Sequence, residues 1–288
     1  MSSDPIGKFG NGWTMLDNVV YLDWKRLGLT KEAPHRCLSW NRLPRKESPD
    51  SMTDLRVLAE SPETTSLPEK VSLLKNLARL EFPRKFVKTL QLGMIPRSVR
   101  SVRISKPGTA TWPASVPMPS VTALDSGDGF LKFGKSQFPN LTNLTLKIGP
   151  RTELLDTILE YGAITELVFC TVSLPEIVSR VSGLPLRYFG IYSGNLPQLR
   201  SLASAKQLRK VYLKALPKLT TIEGLDDLPH LESLSIMYCA KIKDIDRVLA
   251  IKKLRSLELI GCGKIGVDAI RARLEAKGLE RFWTGGTR

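Results

Sequence analysis

The chain is expected to fold as an α/β repeat solenoid, with a curved parallel β-sheet on the concave face and short helices or extended returns on the convex face. Three observations predict it. An apolar comb, L-x-x-L-x-L, recurs from Leu55 to Leu279 at intervals of 20 to 25 residues, most of them 22 or 23. The fourth position of every unit is apolar: Leu58, Leu80, Val102, Leu124, Leu144, Leu167, Phe189, Val211, Leu234, Leu257 and Phe282. Two neighbouring units, LESLSIMYCAKI (231–242) and LRSLELIGCGKI (254–265), align without a gap. No single unit of this length hides its own apolar stripe, so stacked neighbours must share one continuous core.

Residues 1–54 carry Trp13, Trp24 and Trp40 and follow the period badly, which predicts an N-terminal cap over the open end of that core. The segment 42–54 is polar with two prolines and reads as a loop. An array of about eleven units then spans 55–288, with starts at Leu55, Leu77, Val99, Val121, Leu141, Ile164, Leu186, Leu208, Leu231, Leu254 and Leu279. The sixth position is apolar in eight of the eleven and fails at Glu60, Ser126 and Thr284. Side chains alternate along a strand, so positions four and six point inward while three, five and seven line the concave sheet. Among the return segments, 107–120 is proline-rich and expected to be extended, because proline fixes φ and lacks an amide donor. Helical periodicity predicts helices within 152–162, 174–183 and 266–278, the last ending on Gly278.

This comb resembles that of leucine-rich-repeat proteins of the 22–23-residue, soluble, non-secreted type. The resemblance covers about residues 55–283 and implies the solenoid architecture and a non-enzymatic role in protein recognition, as adaptor, inhibitor or immunity-type binder. One departure stands out. The ninth position, which in the family holds a turn-bonding asparagine, is here Glu63, Lys85, Pro107, Gly129, Gly149, Val172, Gly194, Leu216, Cys239 or Cys262. The turns must be satisfied by other groups.

The formal net charge is +15, and its placement is uneven. Between Lys70 and Lys106 ten basic residues face Glu81 alone, whereas 151–200 holds four basic and five acidic side chains. Such a block fits an acidic protein partner, with nucleic acid as the alternative. The N-terminus lacks the basic and apolar regions of a signal peptide, so the expectation is a cytoplasmic protein without membrane attachment. Four cysteines at 37, 170, 239 and 262 form no CxxC pair, and neither His35 nor His230 has metal-ligand or triad spacing. The turn GCGKIG matches G-x-G-x-x-G, but a dinucleotide site needs a doubly wound sheet that the remaining residues cannot supply. No cofactor, metal or enzymatic activity is expected. Cys239 and Cys262 occupy equivalent slots and are expected to be buried fillers, while Cys170 falls at a concave position and is expected to be more accessible.

The repeat register places the candidate binding residues. Tyr188, Tyr192, Tyr212 and Met237 converge with Lys210 and Lys214 on three adjacent strands, and tyrosine and methionine are enriched where proteins meet. Arg79 and Arg103 fall on the same face nearer the N-terminus, with Arg84 and Lys106 at its rim. The central group is expected to anchor an acidic partner and the basic block to steer it.

Overall fold

In the computed structural model, which describes residues 53–57, 65–67, 69–148, 153–172, 174 and 176–287, each comb becomes one short strand paired in parallel with the next. The main sheet has eleven strands: β1 (Asp54–Arg56), β2 (Arg79–Pro83), β3 (Ser101–Ser105), β5 (Ala123–Asp125), β7 (Asn143–Lys147), β8 (Glu166–Thr171), β9 (Tyr188–Ile191), β10 (Lys210–Lys214), β11 (Ser233–Met237), β12 (Ser256–Gly263) and β13 (Arg281–Thr287). Strand order follows chain order, as a solenoid requires. Partner residues lie 20 to 25 positions apart, Ala123 opposite Asn143 being the shortest step and Asp54 opposite Arg79 one of the longest.

Register from β2 to β13 is the expected one, third position facing third position throughout. The first unit is out of phase with expectation. Leu55 faces Leu80, so it holds position four and not position one, and the concave residues there are Asp54 and Arg56 instead of Val57 and Ala59. Backbone hydrogen bonds fix the same phase: the Thr53 carbonyl accepts from Ala78 and Arg79, just as the Ala78 carbonyl accepts from Arg100 and Ser101 one unit later. Val57, at position six, is buried. A leucine at each of 55 and 58 mimicked the comb while the true spacing to the next unit was longer.

Positions one, four and six fill the core. Leu80, Val102, Leu144, Leu167, Phe189, Leu234 and Leu257 are all within 2% of complete burial, and hiding such a side chain stabilises by about 1.5–3 kcal/mol. On the convex side, among the described residues, three returns are helical, α1 (Glu153–Leu159), α2 (Glu176–Val181) and α3 (Val267–Ala276), and four are single 3-10 turns. Within 107–120, expected to be extended, only β4 (Thr109–Thr111) is a strand, with turns at 114–115 and 119–120; β4 pairs in parallel with β6 (Phe130–Lys132) to make a second, two-stranded sheet. Beneath it run contacting rings, Phe82 to Trp112 (6.4 Å), Trp112 to Phe138 (4.7 Å), Phe138 to Phe133 (5.8 Å) and Phe133 to Tyr161 (6.3 Å). The Trp112 indole N–H donates to the Val116 carbonyl at 2.8 Å, so this large ring is buried without an orphaned donor.

Where an asparagine ladder is missing, Arg84 takes over part of its work. Expected at the concave rim, it is instead 4% exposed, because its guanidinium donates to the carbonyls of Lys106 (3.1 Å), Phe130 (2.8 Å) and Ser126. Burial pushes its pKa down while Asp125 and Asp128 oppose the shift. The Cys239 thiol donates to the Met237 carbonyl at 3.3 Å, and the Cys262 thiol faces the carbonyls of Ile260 and Ile236 at 3.4 and 3.5 Å. Residues 1–52 of the expected N-terminal cap and the ninth-position residues Glu63 and Gly149 lie outside the described residues. No helix among those described is long and apolar enough to cross a membrane.

Candidate functional site on the concave wall

The N-terminal part of the wall is a lattice of alternating charge. Arg79 pairs with Asp54, Arg56 with Glu81 (3.0 Å), and Arg103 with Asp125 (3.2 Å) and more distantly with Glu81 (4.0 Å). Three arginines thus meet three carboxylates across β1, β2, β3 and β5, so the concave part of the basic block carries no net charge. Burial raises the pKa of Glu81 against the opposing pull of Arg56 and Arg103, and burial likewise raises Asp125 against Arg103 and the Gly127 amide. These two carboxylates are 6% and 7% exposed, and without their arginines they would be isolated buried charges.

The middle of the wall is aromatic. Tyr188 and Tyr192 come from β9 and its end, Tyr212 from β10 and Met237 from β11, brought side by side by the register. Tyr192 and Tyr212 meet edge to face at 5.4 Å and 80°, and the Tyr212 hydroxyl lies 3.4 Å from the Met237 sulfur. Tyr212 and Met237 are each 6% exposed, Tyr188, Tyr192 and Lys214 are half-buried, and Lys210 is exposed. The strand below contributes Val168, fully buried, because Gly190 beside it leaves room for the Tyr188 ring to lean across: a Cβ at 190 would lie 3.0 Å from a Val168 methyl and 3.5 Å from the Tyr188 hydroxyl. Burial pushes the Tyr212 phenol up to about 12 and raises Tyr192 further, so both are neutral hydrogen-bonding groups at physiological pH.

Next to them Glu166 accepts a hydrogen bond from the Asn143 amide at 2.5 Å, and burial outweighs that bond in raising its pKa. Cys170, expected to be accessible, is 8% exposed, and burial pushes its thiol up to about 12. A thiol so protonated is a poor nucleophile. Among the described residues no three His, Cys, Asp or Glu side chains gather where a metal ion could bind.

At the C-terminal end two exposed aromatics, Tyr238 (54%) and Trp283 (61%), stand out of the wall. Trp283 was legible as a fifth-position residue. Tyr238 was not, because it sits at position eight, where the chain turns through a left-handed conformation (φ 55°) and directs the ring outward. The signal available was the matching of Tyr238 to Gly261 in the aligned units, a tyrosine where its neighbour has no side chain at all.

No family model matches the sequence, and no curated protein does. Among solved structures, the chain is similar to an internalin C2 from Listeria monocytogenes, with 15% identity over 82% of this chain and 89% of that one and a TM-score of 0.43. It is similar to a second internalin of that organism, with 12% identity, 83% and 82% coverage and a TM-score of 0.42. A leucine-rich-repeat protein of Leptospira interrogans shares 14% identity over 84% of this chain and 68% of its own, with a TM-score of 0.45. At these identities the likeness concerns fold and carries no partner with it. The chain's own geometry, eleven parallel strands in register with positions one, four and six in a shared core, is that of a leucine-rich-repeat solenoid.

Proposed function

We propose that the concave wall is a non-enzymatic protein-recognition surface, of the kind an adaptor, inhibitor or immunity-type binder uses, anchored on Tyr188, Tyr192, Tyr212 and Met237 and flanked by Lys210 and Lys214. The observation that carries this reading is the locked pair of Tyr192 and Tyr212: two rings held edge to face, with the Tyr212 hydroxyl against Met237, form a rigid apolar floor. Rigid aromatic area is favourable at an interface because little rotamer freedom is lost on binding. Arg79 and Arg103 are neutralised by neighbouring carboxylates, so attraction for an acidic partner falls to the exposed Lys210 and its neighbour Lys214. The buried free thiols at 170, 239 and 262 are compatible with a reducing cytoplasm.

The test begins with a photoreactive side chain at position 188 to trap the partner, followed by titration of the purified pair. Tyr188→Ala and Tyr192→Ala should each weaken binding by about 1–2 kcal/mol, roughly 5- to 30-fold, and Lys210→Glu should slow association most at low salt. Unchanged affinity in both tyrosine variants would exclude this floor as the interface.

A further inference from the structure

A second surface lies where the last strands end, and its chemistry differs from that of the wall. Three consecutive units place a lysine at position eleven, two residues after the buried ninth position: Lys218 in ALPK, Lys241 in YCAK and Lys264 in GCGK. All three are exposed on the turns that leave β10, β11 and β12. Adjacent strands stand about 4.8 Å apart, so the row repeats at roughly that interval. Lys243 joins it from the turn after β11. Unlike the arginines, which bind carboxylates across repeats, none of these four lysines has an ion-pair or hydrogen-bond partner for its side chain among the described residues. No aspartate or glutamate occurs in 214–222, 233–243 or 259–267.

Two exposed rings stand at this end of the sheet, Tyr238 in the turn that carries Lys241 and Trp283 on β13 next to β12, and each rests on a glycine. A Cβ on Gly261 would come within 2.5 Å of the Tyr238 ring, so one edge of that ring rests where a side chain would stand. A Cβ on Gly285 would lie 3.0 Å from the Trp283 indole nitrogen. Both rings are thereby backed by main chain and open to solvent. On the wall, Glu258 pairs in register with Trp283 and accepts a hydrogen bond from Ser235 at 2.9 Å, and Asp244, next to Lys243 in the chain, is held by Thr221, the Ile222 amide and Arg247.

We propose that this C-terminal rim binds single-stranded nucleic acid, separately from the protein-recognition floor. The lysines supply compact point charges that attract phosphate and carboxylate alike, so it is the exposed rings beside them that select a nucleic acid. Every base offers a π-face, and rigid open rings beside a phosphate track form the combination that such strands use. An acidic protein would be drawn to the same charge but has no need of the rings.

Anisotropy of a fluorescein-labelled oligothymidylate of about twenty nucleotides, titrated with the full chain at several salt concentrations, tests this. The triple variant Lys218→Ala, Lys241→Ala, Lys264→Ala should lose at least about tenfold in affinity and flatten the salt slope by about two units, near 0.7 per phosphate contact. Trp283→Ala and Tyr238→Asn, the latter chosen because asparagine tolerates the left-handed turn, should weaken binding roughly 5- to 100-fold with the slope unchanged, while Tyr238→Phe keeps it. Lys75→Ala, Arg97→Ala, Arg100→Ala, exposed at the opposite ends of the strands, should leave binding intact. Equal loss in that distant triple would overturn the proposal, as would effective competition by polyglutamate together with silent ring variants. Tyr188→Ala and Tyr192→Ala leave the rim untouched, so loss of a protein partner in those variants and loss of oligonucleotide in these are separate results.

Discussion

The guanidinium of Arg84 fills the space that a side chain at Gly129 would occupy: a Cβ at 129 would stand 2.3 Å from the arginine Nε. Glycine at this turn is required by a close approach, and the arginine in turn binds the carbonyls of three later residues, Lys106, Ser126 and Phe130. Gly129→Ala should therefore displace the arginine and leave buried carbonyls unpaired, destabilising by about 2–4 kcal/mol in chemical denaturation. Arg84→Lys should cost a similar amount, because one ammonium cannot reproduce the planar fork. A loss below about 0.5 kcal/mol in both would mean that the turns are held by other groups.

The charge lattice predicts an unusual pH dependence. Glu81, Asp125 and Glu166 all have folded pKa values raised above the ordinary carboxylate range, chiefly by burial. The folded state therefore holds these protons more tightly than the unfolded chain, and their contribution to stability is greatest when they are protonated. It declines as pH rises from the ordinary carboxylate pKa of about 4 through the raised folded values. Thermal melts of the double variant Glu81→Gln, Asp125→Asn, taken in pH steps across that window, should show a shallower decline than the parent. An identical or steeper decline would place the titration elsewhere.

Arg103→Met probes the same lattice from the other side. It leaves Glu81 with Arg56 alone and strips Asp125 of its ion pair, so stability at neutral pH should fall by about 2–4 kcal/mol, read as a shift in denaturant midpoint without change of slope. Acidification should recover part of the deficit, since protonated carboxyls no longer need the arginine.

Cys170, Cys239 and Cys262 are free and buried, and burial pushes the thiols of Cys170 and Cys239 up to about 12. A maleimide or iodoacetamide at neutral pH should leave all three unmodified in the folded protein and modify them after denaturation, as peptide mass mapping would register. Rapid native labelling of Cys170 would show that the concave floor opens.

The repeat and most of the wall were readable from the residue order because a stacked unit is a local rule: the same positions face the core wherever the chain has turned once. From Arg79 to Trp283 the third and fifth positions land where the comb puts them. What escaped were relationships between units. Arg84 reads as one more cation in a basic run, and only the fold brings its head to carbonyls 22 to 46 positions away. The neutrality of Arg79 and Arg103 depends on Asp54 and Asp125, in other strands. The pairing of β4 with β6 could not be told from extended chain alone. The first unit misled because Leu55 and Leu58 imitate the comb, and the exposure of Tyr238 follows from a backbone twist that no apolar pattern encodes.

Each rung of the main sheet closes a loop of nearly the same length, 20 to 25 residues, whichever two strands are joined. Loop-closure entropy grows only with the logarithm of length, so every step costs almost the same and none is a long-range search. Refolding can thus spread from any formed pair of turns like a zip, and a lesion such as Gly129→Ala should halt it at one tooth, leaving a protease-resistant C-terminal block.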